Sequence, residues 1–276
     1  MRKVSSSENK EIVLGILSYI DNICRENSIE YSLGAGTLLG GIRNGGFIPW
    51  DDDGDVIVRR NEYDRLMKIL KEDTNSQYGF MFEETPGYYY VFAKVYDKRT
   101  ILKTIAPQDA KIQNLGVYVD IFPIDKVPSD KDKAIEFYKE AMNINYSMYM
   151  AIPGFYSHNN SFIKRCVKKV LYYPKYKTAI KGQKDPEIWK ERLLNKIKSY
   201  EDSNESAAGF TLSEYAEHEY MDAEIFDGYE DITFEGIKYR RLKKYKRYLT
   251  ALYGNYMQLP PEDKRKPKHA YIEFWK

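Results

Sequence analysis

The sequence predicts an α+β fold, a core of about 125 residues followed by a mostly helical half, and three observations predict it. Apolar residues recur at helical spacing over residues 8–26; short β-branched and aromatic runs separated by Gly, Pro and charged turns fill the region up to Asp125; and after Val127-Pro128-Ser129-Asp130 the periodicity turns helical. At 276 residues the chain is long enough to bury a full core. The boundary expected from the change of pattern separates a core, 1–128, from a helical region, 129–276.

The elements follow in order. Ile12, Ile16, Leu17, Ile20 and Ile23 define a first helix behind a Ser/Glu-rich start that can cap it. A short strand at Tyr31–Leu33 meets the turn-rich segment GAGTLLGGIRNGGFIPW, where Thr37 to Ile42 forms one short helix between glycines. Val56, Ile57 and Val58 read as a buried strand that opens at its acidic end, followed by a helix from about Asn61 to Leu70. The segments GFMFEE, YYYVFAKVYD and TILKT suggest antiparallel strands, and VYVDIFPID, 117–125, is a further strand with a carboxylate inside it. Helices are expected at 130–150, roughly 160–180, 186–200 and 240–253, with weak strand signals at ITFEG and IKYRR.

Composition excludes several classes. Two distant cysteines, Cys24 and Cys166, support neither a zinc module nor a disulfide scaffold, and a reducing cytoplasm suits them. No apolar run reaches membrane-spanning length, so a soluble or peripheral protein is expected. A formal net charge of +2 does not argue for nucleic acid, although the first 160 residues are mildly acidic and the rest basic. Tyrosine is abundant, 26 residues, which suits wet clefts and interfaces.

The chemistry concentrates at Asp51, Asp52, Asp53 and Asp55. Carboxylates this close repel unless a cation sits among them, so a run that opens a buried strand calls for a metal, where a solvated turn would not. In strand register Asp53 and Asp55 point to one side, about 7 Å apart, and can converge on one or two magnesium ions. Asp51 and Asp52 lie just before. The preceding segment, Gly34-Ala35-Gly36-Thr37, lets backbone N–H groups approach a phosphate at the N-terminus of the short helix. It lacks the Lys-Ser/Thr of a Walker loop, and Leu39 occupies the third-glycine place of a dinucleotide fingerprint. Arg43 is the nearest cation, either a clamp on a phosphoryl oxygen or one side of a salt bridge. Asp120 interrupts an apolar strand and needs a partner: it is a third metal ligand, the base for an acceptor hydroxyl, or a turn residue with Asp125.

These residues resemble the LicD family, the phosphorylcholine transferase group within the nucleotidyltransferase fold that also takes in the fukutin-related proteins. The likeness rests on YSLGAGTLLGGIRNGGFIPWDDDGDVIVRRNEYDRL, on VYVDIFPID and on YLTALYGNYMQLPPEDKRKPKH, and so spans nearly the whole chain. The resemblance implies a central mixed sheet, a phosphate loop at Gly36-Thr37 and magnesium or manganese on Asp53 and Asp55, with Asp120 as the third carboxylate. It further implies transfer of phosphocholine, or a related phospho-substituent, from a CDP-linked donor to a cell-surface glycan or lipid-linked precursor of teichoic acid, lipopolysaccharide or capsule type, with CMP leaving. Asp52 or Asp120 would steer the acceptor hydroxyl, and Trp50 would line the substrate site. Gly54 departs from the family pattern, which usually has an apolar residue there. A choline cargo would need aromatic faces, and Tyr88, Tyr89, Tyr90, Phe92 and Tyr118 are the candidates, expected on strands beside the site.

The stretch FIKRCVKKVLYYPKYKTAIKGQK holds no acid and reads either as an interfacial helix facing anionic lipid or as a solvated helical face, with Pro174 breaking or kinking it. Two competing functions remain at this level: nucleotidyl transfer with pyrophosphate leaving, and a non-catalytic glycan- or lipid-binding role, for which loss of Asp53 or Asp55 would be the signature.

Overall fold

The computed structural model describes residues 1–73, 77–104, 109, 112–159, 161–213, 218–265 and 271–276. Helix α1 (Ser6–Glu26) starts at a capping box, in which the Ser5 hydroxyl accepts the Glu8 N–H and the Glu8 carboxylate accepts the Ser5 N–H. Its Ile12, Val13, Ile16, Leu17 and Ile20 are buried against the sheet, the face that the periodicity predicts.

Then come β1 (Ser32–Leu33), α2 (Ala35–Asn44), β2 (Asp55–Arg59), α3 (Arg60–Glu72), β3 (Tyr78–Met81), β4 (Ala93–Asp97), β5 (Thr100–Thr104) and β6 (Tyr118–Val127). The chain continues through α4 (Lys131–Ala151), α5 (Phe162–Leu171), α6 (Tyr173–Ile180), α7 (Pro186–Ile197), β7 (Ala207–Gly209), β8 (Met221–Asp222), β9 (Tyr229–Phe234), β10 (Ile237–Leu242), α8 (Tyr245–Tyr253) and β11 (Tyr271–Trp275). Among the described residues the central sheet is mixed and seven-stranded, with main order β1-β2-β6-β4-β3 and with β7 and β8 added beyond the end of β6. Strands β2 and β6 are parallel, and the remaining pairs are antiparallel. The fold is therefore α+β with a mixed sheet, as expected.

Three local expectations change, and a fourth is met with an unforeseen partner. Helix α2 begins at Ala35 rather than Thr37, because Gly34 is its N-cap and its carbonyl already accepts the Leu38 N–H. The Tyr88–Phe92 run is not a strand: Gly87 turns the chain at φ +75° and the Tyr88 hydroxyl donates to the Phe92 carbonyl, holding the segment as a loop before β4. TILKT does form β5, but it pairs with β11 from the far end of the chain, a long-range partner that local pattern cannot reveal. The helix expected over 240–253 starts at Tyr245, since the IKYRR strand signal is real: β10 pairs β9 across its full length and buries Phe234, Tyr239 and Leu242 completely. In the basic stretch the predicted break falls at Tyr172, with Pro174 in the first turn of α6.

One buried acid lies beside the sheet extension. Glu219 is 6 % exposed, its backbone carbonyl lies where a Cβ on Gly209 would sit, and its carboxylate accepts the Phe210 N–H at 3.4 Å. Burial pushes its carboxyl from 4.5 up to about 7, against the hydrogen bonds from Ser213 and Phe210. A raised folded-state value means stability that is complete below the unfolded value and is lost as pH rises through about 7. Glu219→Gln is therefore expected to stabilise the protein by ~2–3 kcal/mol near pH 8 and to have little effect near pH 4. Denaturant melts at the two pH values check this, and equal shifts at both would sink it.

Candidate active site

The acidic run sits where α2, β2 and α1 meet. Asp55 opens β2, so the apolar strand Val56–Val58 carries it into the core, and it is 8 % exposed. Its backbone is held on both sides: the Asp55 N–H donates to Thr37 Oγ1 at 2.8 Å, and its carbonyl accepts the Gly34 N–H at 2.9 Å. Thr37 thus ties the first turn of α2 to the acidic strand. Asp51, Asp52 and Asp53 precede the strand, and one carboxylate oxygen of each lies within 4.8 Å of the others. Asn9 of α1, 5 % exposed, donates to the Asp52 carbonyl at 2.6 Å and fixes that loop from below.

Two glycines are needed for this approach. A Cβ on Gly36 would lie 2.8 Å from Asp51 Oδ2 and 4.0 Å from Asp55 Oδ2, so both carboxylates crowd the backbone of the first helical turn. A Cβ on Gly54 would lie 2.8 Å from Val13 and 3.1 Å from Val119. The bare backbone at Gly54 lets α1 close down on the sheet.

Asp120 is the Cα partner of Asp55 across the parallel pair of β2 and β6, so the two acids are neighbours on adjacent strands. Lys94 is its partner on β4, and its ammonium donates to Asp120 Oδ1 at 2.6 Å. The same ammonium lies 3.6 Å from the Tyr118 ring centroid, and 5.2 and 5.3 Å from those of Phe92 and Tyr90. Burial first, then the charges of Asp53, Asp120 and Asp51, hold the Asp55 carboxyl well above the usual carboxylate range, with Lys94 opposing. Asp125 takes no part: it is buried in a bidentate pair with Arg60 at 2.6 and 3.0 Å.

Asp51, Asp53 and Asp55 line a cleft of about 620 Å³ together with Ala35, Gly36, Arg43 and Trp50. The opposite wall comes from the C-terminal region: Tyr253, Asn255, Tyr256, Gln258, Pro260 and Lys264. Ala35 stands at φ +38°, a left-handed conformation costly for a residue with a Cβ, and the buried Tyr248 hydroxyl accepts its N–H at 3.3 Å. Arg43 donates to the Tyr256 carbonyl at 3.4 Å; burial and the nearby charge of Arg265 lower its pKa. The Arg265 guanidinium lies 5.8 Å from the Trp50 ring. The cleft thus combines acids, cations and rings in one lining.

Of the residues singled out in the sequence, the structure brings Gly36, Arg43, Trp50, Asp53 and Asp55 into this cleft, with Asp52 in the adjoining acidic cluster and Thr37 as a buried clamp behind it. Asp120 and Tyr118 lie on the neighbouring strand around Lys94. Tyr89 packs instead among the helices near α7, with the Lys190 ammonium 5.6 Å from its ring. Asn9, Lys94, Tyr248 and the C-terminal wall were missed. Lys94 alone left a signal, a single cation in the apolar run YVFAKVY. The quoted C-terminal block extends over Lys266 to His269, which lie outside the described residues.

A mixed sheet with carboxylates at the start of a central strand and a glycine-flanked helix N-terminus beside them suits a transferase acting on phosphate-containing groups. Comparison with known proteins gives the same class. Residues 28–153 match the family model described as LicD/FKTN/FKRP, nucleotidyltransferase domain. The chain is 31% identical over 279 residues to the lipopolysaccharide cholinephosphotransferase LicD of Haemophilus influenzae, covering 99% of this chain and 100% of that one. A second relative, the uncharacterized protein RP689 of Rickettsia prowazekii, is 32% identical over 105 residues, 37% of this chain and 35% of that one. This chain belongs to the LicD family.

Proposed function

We propose that the chain transfers phosphocholine, or a closely related phospho-substituent, from a CDP-linked donor to a hydroxyl of a lipopolysaccharide-type glycan or its lipid-linked precursor, at the inner face of the membrane, releasing CMP. The supporting observation is the cleft itself, in which Asp51, Asp53 and Asp55 share a space of ligand size with Arg43 and Lys264. The name of the full-length Haemophilus relative supports the phosphocholine cargo and the lipopolysaccharide acceptor.

The carboxylates fit a divalent cation. Asp51, Asp52 and Asp53 gather within 4.8 Å, and Asp55 is kept buried beside like charges, an arrangement that a bound cation would relieve. Asp53 and Asp55 would hold magnesium or manganese, with Asp120 closing the set from β6. When bound, the ion supplies neutralisation of the donor phosphates. The remaining work belongs to the chain. Arg43, Lys264 and the N–H groups of the first turn of α2 hold the diphosphate and stabilise charge on the departing CMP. Trp50, Tyr253 and Tyr256 offer flat faces to the base or the cargo. Asp52, its loop fixed by Asn9, orients the acceptor hydroxyl and takes its proton as the oxygen attacks phosphorus in line.

The test is incubation with magnesium and CDP-choline, CDP-ethanolamine, CDP-ribitol, CDP-glycerol or CTP, with surface-glycan extract as acceptor and mass spectrometry as readout. Metal-dependent CMP release with a phosphocholine mass added to the glycan is expected. Pyrophosphate from CTP would move the assignment to nucleotidyl transfer, and absence of turnover with every donor would overturn the catalytic reading.

A further inference from the structure

Helix α5 has ten residues and buries none of them. A helix this short is below the roughly 12–15 residues at which even favourable isolated helices become stable in water, so something other than a packed face keeps it. Its ends are fixed. The Arg165 N–H reaches the Ser161 carbonyl, the Lys168 ammonium donates to the His158 carbonyl at 3.2 Å, and α6, entered directly at Tyr173, is anchored by the buried Ile180. Tyr156 stacks on Tyr176 at 4.4 Å between ring centroids and closes the base of the arm.

The exposed residues are sorted. At 100° per residue Phe162, Ile163, Cys166, Val167, Val170 and Leu171 occupy about half of the circumference, and Lys164, Arg165, Lys168 and Lys169 the other half. The large apolar side chains are fully presented: Phe162 is 70%, Ile163 73% and Val170 75% exposed, with Tyr172 and Tyr173 open at the end. From Phe162 to Lys184 there are eight Lys or Arg and no Asp or Glu.

We propose that α5, with the start of α6, is a docking arm that lies in the surface of an anionic lipid bilayer, its apolar half among the acyl chains and its lysines among the headgroups. Charge selects this occupant. A protein groove would match this helix only with acid along both of its rims, whereas a sheet of anionic headgroups meets the apolar face and both rims together. The arm is also tied to the catalytic sheet face. Rings run from Phe122 through Phe92, Tyr90 and Tyr149 to Phe155 at its base, with successive centroids 4.7, 5.0, 6.5 and 5.5 Å apart. The inference adds the surface to the transfer reading and does not depend on which headgroup is carried.

Flotation with vesicles tests it. The full chain is expected to float with vesicles of equal parts phosphatidylglycerol and phosphatidylcholine, much less with phosphatidylcholine alone, and less in high salt. Val170→Asp and, separately, the pair Lys164→Gln with Lys169→Gln are each expected to weaken partition roughly tenfold or more while leaving the thermal melt unchanged. A fluorophore on the exposed Cys166, the other cysteine being buried, should shift to the blue with anionic vesicles. No flotation, equal flotation with neutral vesicles, or flotation unaffected by Val170→Asp would overturn the proposal. So would a concentration-dependent dimer that Val170→Asp abolishes, since the face would then belong to a second copy. Turnover on a delipidated glycan acceptor keeps the two readings apart: its persistence in the Val170→Asp variant locates any loss in docking, and its absence in the unaltered protein counts against the transfer reading alone.

Discussion

Replacing Asp55 by asparagine is expected to lower transfer by about 10²–10³-fold while leaving the fold at least as stable as before. The two halves of this result have one cause. Asp55 is placed by its backbone, between the Thr37 hydroxyl and the Gly34 N–H, and asparagine preserves both of those bonds. What changes is the side-chain charge, which is buried and faces Asp53, Asp120 and Asp51. That charge is unfavourable to the empty protein: burial and like neighbours raise the folded-state value, so ionisation at neutral pH costs stability, and the neutral amide removes the cost. A site of this kind is kept for what it binds. Thermal melts in EDTA should show an equal or higher midpoint for the variant, and CMP release with saturating donor should fall. Turnover within about tenfold of the unaltered protein would remove Asp55 from the reaction, and a collapsed fold would make its carboxylate structural.

The parts of the site legible in the sequence are those made by contiguous residues. Asp53 and Asp55 could be placed because an apolar strand follows them at once, and Gly36 and Thr37 because glycines bracket a short helical run. The structure gives Thr37 a further task, since its hydroxyl accepts the Asp55 N–H and lies behind the cleft. What could not be read is what distance in sequence conceals. The second wall, Tyr253 to Lys264, arrives some two hundred residues after the first, and β5 finds its partner in β11. The tyrosine run at 88–90 satisfied strand propensity, yet Gly87 and the Tyr88 hydroxyl hold it as a loop; propensity scores a side chain, whereas this hydrogen bond depends on where Phe92 is carried by β4. The aromatic faces expected for a choline cage exist in part, but Tyr90, Phe92 and Tyr118 surround the chain's own cation, Lys94.

That lysine carries the second large effect. Lys94 is 4 % exposed and Asp120 9 %, and their 2.6 Å contact joins adjacent strands in the middle of the sheet. Lys94→Met keeps the length of the side chain and its packing on Tyr118 but takes away the ammonium that Asp120 accepts from, one strand away from Asp55. Removing one member of a buried ion pair costs ~3–5 kcal/mol, and the loss should appear in the denaturation midpoint of the metal-free protein. Adding Asp120→Asn to Lys94→Met removes the other half of the pair as well, so the double variant should recover most of the loss, with a coupling energy of at least ~2 kcal/mol. Additive single effects would show that the contact is incidental. The same pair of proteins separates the two roles open to Asp120. If its second oxygen belongs to the cation's shell, magnesium should raise the melting midpoint of Lys94→Met by more than that of the unaltered protein, because the ion then replaces the missing ammonium. Equal shifts would assign Asp120 to Lys94 alone and leave the cation to Asp53 and Asp55.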